Sequence, residues 1–306
     1  MKINYINPQN LPHAYARAVE LQEAKYSKGS GVDFSTTDLC GPPRIHALRL
    51  LTPEVDVDVA DSSHSVLGSA VHSVLEVLDE DSDYEVECRF FRSIDGVRIS
   101  GQMDLYQHST KTLSDWKGTR WRTYENGVKW DYVAQLNICR WLIEGGRDAS
   151  GRDVEWPITS LQSVAFFRDF SKVTCDFQPP HFPVEAFDVP LWTTEATENF
   201  IRTRIKLHRQ AEVTLPLCTD EERWAKKETF AVEALAGGRA KRVLQTEEEA
   251  EQWITDSIAK AKKKPPAMHV IHRPGSSMRC SKYCDLAGVC SQWAANPENP
   301  KNQPAR

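Results

Sequence analysis

The chain predicts a mixed α/β fold, and three observations predict it. Residues 84–117 alternate apolar and polar side chains in runs separated by short turns, the period of half-buried strands. Amphipathic helical patterns flank them at 64–79 and 131–144. The apolar run 160–167 then reads as a strand central in the sheet. The predicted order is helix, three strands, helix, strand.

Before this block, residues 11–27 carry Leu11, Tyr15, Ala18 and Val19 near helical spacing, ended by Gly29-Ser30-Gly31. Ser35 to Asp38 offers N-cap chemistry, and Cys40-Gly41-Pro42-Pro43 leads into a short segment at 45–51. The acidic stretch 52–63 reads as an irregular surface connection. In the helix 64–79, Leu67, Val71, Val74, Leu75 and Leu78 form the expected buried face. Gly68, His72 and Glu76 form a second stripe beside it. Glycine inside a helix costs about 1 kcal/mol relative to alanine, so close approach of another group is expected at Gly68.

The strand block carries the chemistry. Asp95-Gly96 supplies a tight turn that pairs Glu87 with Asp104. Folding 101–117 about Ser109-Thr110 sets Asp104 opposite Asp115, Gln102 opposite Lys117 and Met103 opposite Trp116. Side-chain alternation then puts Met103, Leu105, Ser114 and Trp116 on a core face, with Val97 and Ile99 behind. Gln102, Asp104, Asp115 and Lys117 share the other. Two carboxylates roughly 5 Å apart across a sheet repel, and a divalent cation reverses that sign. Mg²⁺ takes one or two protein carboxylates and completes its octahedron with water and phosphate. Lys117, about 7 Å along the strand from Asp115, is placed to stabilise developing negative charge or orient water. His72 is a further candidate beside such a centre, and Glu87 a lesser one.

At 306 residues, 40% hydrophobic and 26% charged, the chain has the composition of a globular protein with a full core. A net charge of −5 argues against nucleic-acid binding by bulk electrostatics but not against a local basic groove. No run has the length of a membrane span and the N-terminus lacks a signal-peptide pattern. Eight scattered cysteines do not form a secreted disulfide framework, so a cytoplasmic setting is expected.

Beyond the strand block, the loop 121–129 mixes Trp121, Arg122, Tyr124 and Lys129 ahead of Trp130, a set suited to stacking on bases and holding phosphates. In the next helix Val133 or Ala134, Ile138 and Trp141 point inward, and Gln135 lies near the start. Residues 171–184 read as a hairpin or insertion. The helix 193–211 presents Arg202, Arg204, Lys206, His208 and Arg209, a face suited to DNA or to solvent. Strands at 228–235, 239–245 and 268–272 and a charged helix at 246–262 follow.

Cys280, Cys284 and Cys290 stand within eleven residues, which favours a metal site. The spacing is not that of paired Cys-x-x-Cys zinc ribbons. An iron–sulfur cluster requires a fourth thiolate, and Cys218 and Cys40 are the candidates. Cys88, Cys139 and Cys175 read as structural.

Taken together, GSAVHSVLE (68–76), GQMDLY (101–106), SDWKG (114–118) and YVAQLNICRW (132–141) resemble the PD-(D/E)XK nuclease superfamily, in its RecB-like exonuclease branch. The resemblance spans about residues 35–292 and implies a restriction-endonuclease-like αβββαβ core. The cysteine trio resembles members with a C-terminal [4Fe–4S] cluster, including the AddB nuclease domain, CRISPR-associated relatives and phage-encoded enzymes. The resemblance makes His72, Asp104 and Asp115 ligands of Mg²⁺ or Mn²⁺, joined by the Trp116 carbonyl, with Lys117 as the catalytic lysine and Gln135 as the glutamine of the helical motif. The tyrosine that usually follows it is Cys139 here. AddB-type members point to Cys40 as fourth cluster ligand. Phage-type members, similar at Cys218-Thr219-x-Glu-x-x-Trp224, point to Cys218, which the reading favours.

The expected organisation is a helical lead-in (1–63), a nuclease core (64–192), and a C-terminal region of basic helix, small α/β extension and cysteine cluster (193–306), integrated into one domain. The expected function is metal-dependent DNA hydrolysis in recombination, repair or end processing, with DNA and a helicase or recombination protein as partners. Two rivals are an inactive DNA-binding or assembly subunit and a zinc-stabilised interaction protein.

Overall fold

The structure, a computed structural model, describes residues 1–25, 31–261 and 265–302. It is a mixed α/β fold with several sheets, the larger of them mixed, flanked by helices. The chain divides into two units, Met1–Pro216 and Leu217–Arg306.

The first unit opens with β1 (Lys2–Ile6), α1 (His13–Lys25), β2 (Phe34–Ser35), α2 (Thr36–Cys40), α3 (Pro43–Leu51) and β3 (Glu54–Asp58). Residues 26 and 27 of the expected first helix lie outside the described residues. The stretch 52–63, expected to be irregular, holds β3, which runs parallel to β1 and buries Val55. Its Glu-Val-Asp-Val-Asp alternation is a strand signal that acidity masked. Ser35 and Asp38 form a capping box at the start of α2, satisfying two backbone donors at once.

Then come α4 (Ser63–Leu75), β4 (Tyr84–Val86), β5 (Arg89–Ile94), β6 (Val97–Gln102), β7 (Leu105–Gln107), β8 (Thr112–Thr119), α5 (Trp130–Gly145), β9 (Arg147–Asp148), β10 (Ser160–Phe167), β11 (Val184–Val189) and α6 (Thr194–Thr214). The expected meander does not stay in one sheet. Strands order as β11-β10-β8-β7-β4 in a five-stranded sheet and β2-β6-β5-β9 in a four-stranded one. One long antiparallel ribbon crosses from one to the other. Its register is constant, Arg89 against Gln102 in the four-stranded sheet and Val86 against Leu105 in the five-stranded one. At the crossing the Glu87 amide donates to the Asp104 carbonyl and the Met103 amide to the Cys88 carbonyl, 3.0 and 2.9 Å.

The break overturns part of the expected facing. Gln102 and Met103 do not pair with Lys117 and Trp116, because Gln102 belongs to β6 and pairs with Arg89. Met103 and Ile99 join the main core with Tyr106 and Leu113. Leu105 and Trp116 pack on the opposite side with Leu75 and Val86. The sheet is therefore buried on both faces, and the acidic face borders the larger core. Helix α5 closes that core against β5 and β6 of one sheet and β8 and β10 of the other. Trp141, Tyr106, Phe34 and Phe90 are buried in it, each contributing about 1.5–3 kcal/mol.

Close approach falls at other glycines than the expected one. A side chain at Gly68 would meet nothing within 4 Å, and a Cβ at Gly118 would make only ordinary contact with Val71 at 3.5 Å. Gly101 lies against the α5 core: an added Cβ would clash with Thr36 Oγ1 and stand 2.7 Å from Leu142 Cδ1. Overpacking of this kind costs about 1–3 kcal/mol. Gly101→Ala should lower the urea midpoint accordingly, and an unchanged midpoint would show the core yields there.

Helix α4 is less covered than its pattern predicts, with Leu75 buried but Leu67 and Val74 half exposed. Helix α6, expected to open the C-terminal region, lies within the first unit and packs on α3 and α5. Part of its basic face is engaged within the unit, although Arg202, Lys206 and Arg209 stay exposed. Arg204 donates to the Leu39 and Gly41 carbonyls, Arg209 pairs with Asp33 at 2.7 Å, Arg202 pairs with Asp95 at 2.9 Å, and His208 is buried. No helix among the described residues is long and apolar enough to cross a membrane.

The second unit holds β12 (Ala225–Lys226), β13 (Thr229–Ala234), β14 (Arg242–Leu244), α7 (Glu247–Ala259), β15 (Met268–Arg273), β16 (Ser276–Ser277), α8 (Met278–Lys282) and α9 (Ser291–Ala294). Strand β13 lies between β14 and β15, antiparallel to both, and α7 packs on the three. Residue 262 of the expected charged helix lies outside the described residues. The short pair β12–β16 leads directly into α8 and the cysteine segment.

Candidate metal centre

The hairpin register sets the centre. Leu105 pairs with Ser114, so Asp104 stands across from Asp115 as the turn length predicts. The Trp116 amide donates to Asp104 Oδ2 at 2.6 Å, a contact in addition to the carbonyl ligation expected of Trp116. Lys117 Nζ donates to Asp115 Oδ1 at 2.7 Å. Asp104 and Asp115 are 7% and 4% exposed, so both carboxylates are desolvated.

Glu87 moves to the middle of the site. It adopts a left-handed backbone, φ +52°, at the point where the ribbon changes sheets. Such a conformation costs of order 1–3 kcal/mol in a non-glycine residue and persists only where its surroundings hold it. The turn brings Glu87 Oε1 to 2.7 Å from His72 Nδ1, with Asp104 Oδ1 at 3.6 Å from the same nitrogen. His72, Glu87 and Asp104 each offer a ligand atom within 4.8 Å of the others. Glu87 also accepts from Gln102, which Arg89 holds at 2.8 Å.

The electrostatics follow from burial and crowding. Burial, then the neighbouring Asp115, push Asp104 up to about 7. Burial pulls Lys117 down, but Asp115 and Asp104 outweigh it and hold the ammonium above its ordinary value. The hydrogen bond to Glu87 raises His72 against the opposing effect of burial. Asp115 Oδ2 is buried with no hydrogen-bond partner. An orphaned anionic oxygen beside a second buried carboxylate is what a cation would satisfy, since an unpaired buried charge is otherwise costly. The donor set of two or three carboxylates and an imidazole suits Mg²⁺ or Mn²⁺.

Other expected residues lie elsewhere. Gln135 is half-buried on α5 and makes no hydrogen bond to the cluster; the α5 residue that reaches the site is Tyr132, whose ring lies 5.3 Å from Lys117 Nζ. The loop before α5 mostly packs. Tyr124 is buried against Phe187, and Trp121 meets Phe167 at 5.4 Å, whereas Trp130 remains 61% exposed. Cys139 is buried in the main core.

Cys40 belongs to the first unit, within electrostatic reach of Lys117 and Asp115, its thiol pushed up to about 12 by burial. Cys218 belongs to the second unit together with Cys280, Cys284 and Cys290. Gln292 clamps Cys218 from both sides, accepting from its amide at 2.8 Å and donating to its carbonyl at 2.9 Å. That glutamine lies two residues past Cys290. Burial pushes the Cys284 thiol up to about 11, and Cys280 and Cys290 are close enough to raise it further. Among the described residues, no three of these sulfurs lie within 4.8 Å of one another as the ligand atoms of His72, Glu87 and Asp104 do; any coordination would deprotonate them.

No family model and no curated protein matches the chain. Among solved structures the chain is similar to one described as "Crystal structure of SSO0001", at 17% identity over 62% of this chain and 84% of that one, with a TM-score of 0.40.

Proposed function

We propose that the chain is a metal-dependent deoxyribonuclease of the PD-(D/E)XK superfamily, RecB-like branch, with a restriction-endonuclease-like core in its first unit. The observation that carries this reading is the juxtaposition of the buried Asp104 and Asp115 next to the Leu105–Ser114 pair, with Asp115 Oδ2 orphaned and Lys117 bonded to the same carboxylate. Asp104 and Asp115 would hold one or two Mg²⁺ or Mn²⁺ ions, with His72 and Glu87 completing the protein side. The bound ion would supply Lewis acidity toward the scissile phosphate and lower the pKa of its water.

The residues divide the remaining work. Lys117, whose ammonium form the two carboxylates favour, is placed to donate to an anionic oxygen and stabilise developing charge. The 2.7 Å contact between His72 Nδ1 and Glu87 Oε1 fixes the ring beside Asp104, where the imidazole would serve the cation. The Trp116 amide orients Asp104. Cys218, Cys280, Cys284 and Cys290 would hold a structural [4Fe–4S] cluster.

End-labelled single- and double-stranded DNA incubated with the protein and Mn²⁺ tests the reading. The wild type should hydrolyse phosphodiester bonds, and Lys117→Ala should lower the rate about 10²–10³-fold, the typical loss for one charge-stabilising donor. A wild-type protein inert with both Mn²⁺ and Mg²⁺, or a Lys117→Ala variant of full activity, would overturn it.

A further inference from the structure

The second unit carries a surface that the metal centre does not use. Trp224 has a left-handed backbone, φ +51°, an outlier for a bulky side chain. Burial does not account for the strain, because Trp224 is 38% exposed. Its neighbours hold it there. The Arg279 guanidinium lies 4.3 Å from the centre of its ring, and Tyr283 meets its edge at 5.3 Å between centroids. Arg279 is itself fixed, its amide donating to the Arg223 carbonyl at 3.0 Å and its guanidinium to the Glu222 carbonyl at 2.9 Å. Tyr283, 53% exposed, follows from the end of α8 between Cys280 and Cys284.

Exposed lysines flank the pair in sequence. Lys226, two residues beyond Trp224, and Lys227 after it are exposed, as is Lys282 beside Tyr283. Of the acids nearby in sequence, Asp220 is bonded by Arg223 at 2.5 Å and Glu228 by His272 at 2.9 Å, while Glu221 is exposed. We infer that Trp224 and Tyr283, with Arg279, Lys226 and Lys282, form a stacking platform for single-stranded nucleic acid. Exposed aromatic faces accept any base, and adjacent lysines neutralise the phosphates between stacked bases. A duplex hides its base faces and has little to offer the platform. The strained backbone at Trp224 is the cost of presenting the ring, and the cysteine segment sets the position of Tyr283.

This surface extends the nuclease reading to a substrate class, a single strand, but its residues are independent of the metal centre. The test is fluorescence anisotropy of labelled dT20 with the full chain and no added divalent metal ion. Trp224→Ala and Tyr283→Ala should each weaken binding about 5- to 100-fold, the range for one lost base stack. Trp224→Phe should keep most of the affinity, and Lys282→Ala should weaken binding modestly and flatten its salt dependence. Thermal melts and metal content establish that each variant is folded, and Tyr283→Ala, at the more exposed position, keeps the test open where Trp224→Ala fails to fold. Wild type without affinity for dT20, or folded alanine variants binding within twofold of wild type, would overturn the platform. Hydrolysis is scored separately. Cleavage with unaltered binding in the variants defeats the platform alone, whereas Trp224-dependent binding without cleavage defeats the nuclease reading alone.

Discussion

Asp104→Asn is expected to abolish hydrolysis while raising the stability of the metal-free protein above neutral pH. Asp104 is held at about 7 in the folded chain, against the ordinary 3.8. The folded state therefore binds the proton more tightly than the unfolded state, and stability is lost as pH rises from about 4 through 7. The ionised carboxylate is therefore destabilising in the metal-free fold, and its removal should raise the melting temperature at pH 8 by a few degrees or more. Asparagine keeps an oxygen to accept the Trp116 amide and removes the charge. His208 works in the opposite direction. Burial, then Arg204 and His46, hold it down to about 4, so its contribution is complete above about 6.5 and is lost as pH falls through 4. Both proteins contain His208, so the difference between their melts at pH 5 and pH 8, without added divalent ion, reports Asp104 together with the part of the His72 shift that its charge supplies. Equal pH slopes, or a variant less stable at pH 8, would defeat the account. Mn²⁺ should stabilise the wild type at pH 8 and leave the variant nearly unchanged, because ligand binding raises stability only where the ligand binds.

The second large effect concerns the thiols. Cys284→Ser should lose the bound metal and selectively destabilise residues 217–306, read as faster amide exchange there than in 1–216. A structural metal contributes on the order of 10 kcal/mol to the unit that folds around it. Cys218→Ser should do the same, because Gln292 fixes Cys218 beside the segment bearing the other three. Cys40→Ser should leave iron, sulfide and zinc content unchanged. Metal lost from Cys40→Ser and retained in Cys218→Ser would reverse the assignment. Anaerobic purification separates the two chemistries: iron with sulfide marks a cluster, zinc without sulfide a tetrahedral site.

The sequence made the pairing of acids legible because turn length fixes register. The short turns at 95–96 and 107–111 place Glu87, Asp104 and Asp115 together whatever the sheets do. Helix α5 was legible because Val133, Ile138 and Trp141 all face one core. The change of sheet at Met103 was not. Side-chain alternation reports which residues are apolar, and a ribbon buried on both faces offers apolar residues to either side. For the same reason Ile99 and Leu105 read as one face though they serve different cores. Glu87 could not be ranked, since its importance comes from a backbone torsion. Tyr132 was missed because its contact with Lys117 joins two elements that no local pattern connects.

The constant register across the two sheets makes the turn at Asp95-Gly96 a ruler for chemistry that takes place elsewhere in the chain. Both residues have positive φ, +50° and +78°, and they fix how far each arm runs before reaching the crossing. Adding one residue to a single arm would slide Glu87 past Asp104 and exchange inward for outward along the rest of that arm. Lengthening both arms equally would keep the partners matched. Tolerated insertions in this hairpin should therefore come in compensating pairs, so that the arms stay in step although the loop joining them touches no ligand.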